Sequence, residues 1–333
     1  MGCAIPLSQV LGLMSFGMHT KSSMRIVVKK APLVLCFILP VFALLSDNVK
    51  ISNCSQVLNY KLNGFEYATN QRDMAIMNCG QGNYCFSYSY IDDLAYVKAN
   101  PMARLPVIGD SSIQSTGIGL APGWYRGGFL KIIINGKSVY AKTSTMDIIE
   151  KDDYGALEFS WSFDVGRAKA VFTAQKDDDR IYCQITLDPQ GEIKSFQVVF
   201  FALPGHYGTN TYGSNKLDRW CSTAENNWQN LTDGPGPRAF DTKEANWLLF
   251  YDSQSNERGT AAVLFDPEQV RTGRQFFIGE LISGVEFTIE PRFTSAHFVI
   301  WGFPDDYKTA EMAYGYLNEN SDKMLKELKR FKF

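Results

Sequence analysis

The sequence predicts a mainly β protein: one large antiparallel β-sandwich with a C-terminal helical cap. Two observations carry that prediction. Between residues 157 and 203, apolar side chains recur at every second position in successive runs joined by short turns, the mark of half-buried strands in a meander. Further strand-like runs flank this region and bring the total to at least ten. None of them alternates with a helical pattern, which argues against a parallel α/β sheet.

The meander opens with Leu157, Phe159, Trp161 and Phe163 alternating with Glu158, Ser160, Ser162 and Asp164. After a break at Val165-Gly166, Ala168, Ala170, Phe172 and Ala174 repeat the pattern. Residues 176–179 form a charged turn, and Ile181, Cys183, Ile185 and Leu187 make the next strand. Asp188-Pro189-Gln190-Gly191 is a turn signal. Residues 193–203 are more continuously apolar, so this strand is expected in a sheet covered on both faces. The other strand-like runs are residues 84–91, 128–134, 138–143, 247–251, 260–265, 285–289 and 293–303. Asn135-Gly136 is a favoured two-residue hairpin turn. At the C-terminus, Tyr307, Ala310, Tyr314 and Leu317, then Met324, Leu325, Leu328 and Phe331, recur at helical spacing. A break at residues 318–321 is expected to divide that cap into two pieces.

Residues 1–46 carry Lys21, Arg25, Lys29 and Lys30 but no acidic residue, and an apolar run over residues 31–45 follows the basic ones. This reads as a secretory signal opening at Met24, with Val41 and Ala43 suited to a cleavage site. An uncleaved anchor is the alternative. The organisation expected is therefore an upstream extension and signal over residues 1–46, the sandwich over 47–303 and the cap over 304–333. The destination is secreted, periplasmic or the cell surface, with the membrane involved only through the signal. Removing residues 1–46 moves the net charge from −2 to −6, which leaves no electrostatic footprint for nucleic acid. Export permits disulfides. Cys79 and Cys85 flank a turn-like spacer, so either a small disulfide loop or two free thiols is expected there. No ligand spacing fits zinc, and no motif calls for a cofactor.

Three segments concentrate Gly, Pro, aromatics and charge. Residues 117–128 contain Gly123-Trp124-Tyr125-Arg126, and residues 204–228 hold His206, Tyr207, Asn210, Tyr212, Asn215, Asp218, Arg219, Trp220 and Trp228. Residues 233–241 include Arg238. The second and third together read as a loop of about 40 residues, and loops of that length inside a domain are usually functional. Aromatic rings stack on sugar faces while Asn, Asp and Arg satisfy hydroxyls or a uronate carboxylate. On that logic Trp124, Tyr125, Arg126, Tyr207, Asn210, Asn215, Asp218, Trp220 and Trp228 are the candidate substrate-binding residues. His206 is the candidate general base or acid, with Tyr212 as its partner and Arg219 and Arg238 as charge neutralisers. His297, inside a strand, reads as a core histidine. A hydrolytic alternative needs two facing carboxylates drawn from Glu158, Asp218, Asp241, Glu290, Asp305 and Asp306.

The run of antiparallel strands, with His206-Tyr207 where a strand ends, resembles the galactose-mutarotase-like supersandwich over residues 128–303. That fold is shared by aldose epimerases, polysaccharide lyases and domains of glycoside hydrolases. The resemblance implies a carbohydrate ligand. Gly205-His206-Tyr207-Gly208 departs from the epimerase pattern, in which Tyr-Phe follows the histidine one residue on, so epimerisation is not implied. The expectation is an exported carbohydrate-active protein, a polysaccharide lyase or glycoside hydrolase. The alternative is a non-catalytic glycan-binding or cell-surface structural module.

Overall fold

The structure, a computed structural model, describes residues 49–62, 65–79, 82–91, 117–121, 123–125, 128–139, 145–151, 153–204, 218–225, 228–232, 237–253, 260–278, 282–303 and 309–332. The signal expected over residues 1–46 lies outside them. In chain order the strands are β1 (Lys50–Leu62), β2 (Phe65–Cys79), β3 (Gly82–Ile91), β4 (Gly117–Ala121), β5 (Leu130–Ile134), β6 (Lys137–Val139) and β7 (Thr145–Glu150). Then come β8 (Tyr154–Phe163), β9 (Gly166–Gln175), β10 (Ile181–Pro189), β11 (Phe196–Ala202), β12 (Arg219–Thr223) and β13 (Gln229–Asn230). The last are β14 (Arg238–Phe240), β15 (Trp247–Asp252), β16 (Ala261–Phe265), β17 (Val270–Ile278), β18 (Ile282–Ile289) and β19 (Ser295–Gly302), followed by helix α1 (Ala310–Arg330).

These strands make two antiparallel sheets packed face to face. The first runs β1-β2-β3-β4-β5-β11-β18-β17-β14, with β6 paired to β5, and the second runs β13-β12-β15-β16-β19-β10-β9-β8-β7. The alternation seen in the sequence fixes which side chains meet between them. Phe86 of the first sheet lies 4.9 Å from Phe172 of the second, and Phe200 lies 4.9 Å from Phe298, edge to face. Such pairs add to the area term of burying large rings. The Asn135-Gly136 turn has φ of 51° and 76°, the left-handed pair a tight hairpin requires. One lateral edge is closed by Ile51 N–H donating to Glu150 Oε1 at 2.7 Å. At the opposite edge, Gln275 on β17 donates to Gln229 on β13.

As its composition predicts, β11 is covered on both faces. Phe196, Val198, Phe200 and Ala202 enter the inter-sheet core, while Val199, Phe201 and Leu203 join an outer cluster with Tyr125 and Ile282. Strands β1, β2, β4, β7, β12, β13, β14 and β17 were not read as strands in the sequence. β12 and β14 in particular divide the segment that reads as one long loop.

The cap also differs from expectation: α1 is one continuous helix across residues 318–321. Ala310, Ala313, Leu317, Ser321, Met324 and Leu328 are its buried residues. Ser321 is small enough to continue the stripe where the sequence appeared to break it. Thr309 caps the N-terminus by accepting from Met312 N–H at 3.2 Å, and Lys329 and Arg330 occupy the last turn, where the helix dipole favours cations. The helix covers Trp247, Leu249, Leu264, Val299 and Trp301 on the outer face of the second sheet. Phe331 stacks on Tyr182 at 4.2 Å.

The disulfide alternative for Cys79 and Cys85 fails on register. Cys79 pairs with Gly82 and Cys85 with Ile76, an offset of three residues, or about 10 Å along a strand. A disulfide needs Cα atoms within about 7 Å, so this register does not allow a Cys79–Cys85 bridge. His297 is a satisfied strand histidine. Its Nε2 lies 3.0 Å from Gln184 Nε2 and its Nδ1 lies 3.2 Å from Gln269 Nε2. Burial holds its pKa below the usual value, partly opposed by the Asp266 carboxylate. The unfolded chain therefore takes up this proton at higher pH than the folded chain. Stability is full above about pH 6.5 and falls as pH drops through the depressed folded value. Melting temperature should decline between pH 7 and 5, and His297→Gln should flatten that decline; an unchanged slope in the variant would refute the assignment.

Candidate functional site

The three segments singled out in the sequence converge on one end of the sandwich, because the strands that feed them are antiparallel neighbours. Leu203 N–H donates to Gly123 O at 2.9 Å, and Tyr125 N–H to Phe201 O at 3.0 Å. This joins the first segment to the point where residues 205–217 depart. β14 pairs with β17, Arg238 opposite Gln275, so Pro237 reaches the same end beside Phe277 and Ile278. Tyr84 ties the sheets together there, donating to Asp179 O at 2.6 Å and accepting from Gly302 N–H at 3.0 Å.

The candidate side chains do not converge as their loops do. Arg126, His206, Tyr207, Asn210, Tyr212 and Asn215 lie outside the described residues. Trp124 is 2 % exposed and makes edge contacts with Phe129 and Phe200 in the inter-sheet core, so it offers no ring face to a sugar. Tyr125, its neighbour, points the other way into the outer cluster with Phe201 and Leu203. Arg219 and Trp220 are split in the same manner. Arg219 turns inward and pairs with Asp252 at 3.0 Å, both side chains almost fully buried. It is a structural ion pair, not a substrate anchor. Trp220 turns outward onto Tyr251, which also meets Trp228 edge-on, and Trp228 reaches Tyr314 of α1. These two tryptophans therefore belong to the helix-bearing face of the second sheet, away from Tyr125.

Asp218 is held in place at the same end. Asn230 Nδ2 donates to its Oδ1 at 2.7 Å and the Ser253 hydroxyl donates to its Oδ2. Burial works to raise its pKa, but these hydrogen bonds, led by that from Ser253, outweigh burial and hold the carboxyl below its ordinary value. Asp218 is thus a fixed carboxylate rather than a proton donor.

A different set forms a site on the outer face of the first sheet. Register aligns Val199, Glu286 and Arg274 on β11, β18 and β17. Arg274 Nη2 lies 2.8 Å from each oxygen of Glu286, whose side chain is 10 % exposed against 50 % for Arg274. Gln197 donates to Glu286 Oε1 at 2.6 Å from the β11 side. Next along β17, Phe276 lies across Gly284 of β18, where any Cβ would collide with its ring, and meets Phe201 edge-on at 5.9 Å. Pro237, Phe276, Phe277 and Ile278 line, with Arg274 and Glu286, a shallow cavity of about 240 Å³ that is open to solvent. That is small against ligand pockets in general, which run to about 300–1,000 Å³, and suits a single ring. Arg274 and Phe276 were passed over in the sequence because β17 was not seen as a strand, and Glu286, on the expected strand over 285–289, because nothing there brought it together with them. The one signal available was Gly284, a glycine within an apolar run that leaves room for an aromatic neighbour.

No protein-family model and no curated protein matches the chain. Among solved structures it is similar to an α-N-acetylgalactosaminidase from Bifidobacterium bifidum, at 10 % identity over 79 % of this chain and 39 % of that one, TM-score 0.40. It is similar also to a TPR-domain containing protein from Parabacteroides distasonis, at 7 % identity over 77 % of this chain and 56 % of that one, TM-score 0.44. A GH36 α-galactosidase from Geobacillus stearothermophilus matches at 11 % identity over 68 % and 39 % of the two chains, TM-score 0.39. The chain thus spans between about two-fifths and just over half the length of these structures. Similarity at this level assigns neither a site nor an activity.

Proposed function

We propose that the protein binds carbohydrate on the outer face of its first sheet. One observation carries the proposal: the Arg274–Glu286 pair stands in the same small cavity as the apolar surface of Pro237, Phe276 and Ile278. A sugar ring has an apolar C–H face and a polar hydroxyl rim, so its recognition calls for that combination of a ring surface and fixed hydrogen-bonding groups. The leader read over residues 1–46 would deliver such a protein to the outside of the cell, where polysaccharide is met. Calorimetry of the purified chain against an oligosaccharide panel tests the proposal. Removing a hydrogen bond to a charged group costs about 1.5–3 kcal/mol, so Arg274→Ala should weaken binding about tenfold or more. Phe276→Ala should weaken it comparably through loss of the ring surface. Full affinity in both variants would discard this site.

A catalytic version has one observation in its favour. Residues 205–217, which carry His206 and Tyr212, leave the first sheet at Leu203-Pro204, beside Tyr125 and at the end where Pro237 lies. In that version His206 is the base or acid of a lyase or hydrolase and Tyr212 its partner. New reducing ends released from one polysaccharide by the wild-type protein, and not by His206→Ala at unchanged binding affinity, would support it. Equal release by the variant would rule it out.

A further inference from the structure

We infer that the site selects an uncharged sugar over a uronate, an inference that rests on the carbohydrate reading above and narrows it. The sequence alone suggests the opposite, since Arg219 and Arg238 look like anchors for a carboxylate. Arg219 is consumed by Asp252 inside the sandwich, and register sets Arg238 beside Gln275 on the inter-sheet side of β14. The cation that does line the cavity is Arg274, and its counter-charge lines the same cavity. Glu286 and Arg274 sum to zero, so a ligand anion gains no net attraction there and must approach a buried carboxylate.

The hydrogen-bonding inventory points the same way. Arg274 spends Nη2 on Glu286 and is half exposed, so its guanidinium carries Nε–H and Nη1–H donors beyond that pair. Glu286 supplies acceptors only. Gln197 approaches from β11, on the side of β18 opposite β17, so the cavity edge of the pair stays open. Donors and acceptors therefore stand side by side. Two adjacent hydroxyls match both, since each hydroxyl donates and accepts. A carboxylate accepts only, and would leave Glu286 opposed by its own lone pairs. The ligand class is thus a neutral glycan presenting a hydroxyl pair at the rim, its C–H face on Phe276.

Matched hexose and hexuronate oligosaccharides of the gluco, manno and galacto series separate the possibilities by calorimetry at low salt. The wild-type protein should bind a neutral member at least about tenfold more tightly than its uronate counterpart. In Glu286→Gln, which keeps the shape and leaves Arg274 uncompensated, that preference should shrink or invert. The wild-type ratio stands as the test even where that variant fails to fold. Uronate binding as tight as neutral binding, and lost in Phe276→Ala, would overturn the inference while leaving the carbohydrate reading intact. Binding of neither series would overturn both.

Discussion

Arg219→Met is expected to destabilise the protein by about 3–5 kcal/mol, the cost of leaving a buried acid without its counter-charge. Arg219 and Asp252 face each other across β12 and β15, with side chains 2 % and 4 % exposed and 3.0 Å between Nη1 and Oδ2. Their surroundings are apolar, since Cys221 and Phe250 lie one step deeper on the same face. Asp252, deprived of the Arg219 guanidinium, would have to stay ionised in that setting or take up a proton. The double replacement Arg219→Met/Asp252→Leu removes both charges and should recover most of the loss, because a buried ion pair contributes little net stability over a well-packed apolar pair. Denaturant midpoints for the four proteins of the cycle measure this directly. If Arg219→Met kept full stability yet lost carbohydrate binding, Arg219 would return to the role its sequence context suggests.

Ending the chain at Phe303 should abolish the soluble folded monomer. Without α1, Trp247, Leu249, Leu264, Val299 and Trp301, each at most 2 % exposed in the intact fold, would face water together. Burying one large apolar side chain contributes about 1.5–3 kcal/mol. Losing several such terms rivals the whole stability of a domain, about 5–15 kcal/mol. Polar anchors go with the helix as well: Glu327 lies 3.0 Å from Arg180 Nη1, and Lys329 Nζ lies 2.9 Å from Glu268 Oε1. Soluble yield, circular dichroism and binding of an apolar dye would report the outcome. A truncated chain that stayed monomeric, with the native spectrum and no dye binding, would make the helix an appendage rather than part of the core.

Both predictions turn on which face of a strand a residue occupies, and there the sequence was uneven as a guide. From β8 to β10 the alternation is regular, so Phe159, Phe172 and Cys183 are readable as core, and the continuous apolar run of β11 marks it as covered on both faces. In residues 218–241 the alternation is not regular. β12 is five residues of mixed polarity, and Arg219 beside Trp220 reads as a loop that offers both to a ligand. Once the segment is a strand, the pleat sends the two to opposite faces. Trp124 and Tyr125 divide the same way, through an isolated bridge to β11.

What the sequence determined by itself was the local pattern: period-two runs, the Asn135-Gly136 turn, and an amphipathic C-terminal helix. Each depends on neighbours a few residues apart, where backbone geometry alone decides which side chains share a face. The site was decided by tertiary structure. Glu286 takes Gln197 from 89 positions away and Arg274 from a neighbouring strand, and Pro237 reaches Ile278 only because β14 adds to the edge of β17. Strand order and register bring these groups together. Both are set by the burial of whole sheet faces against each other, a sum over the entire sandwich that no short stretch of residues encodes.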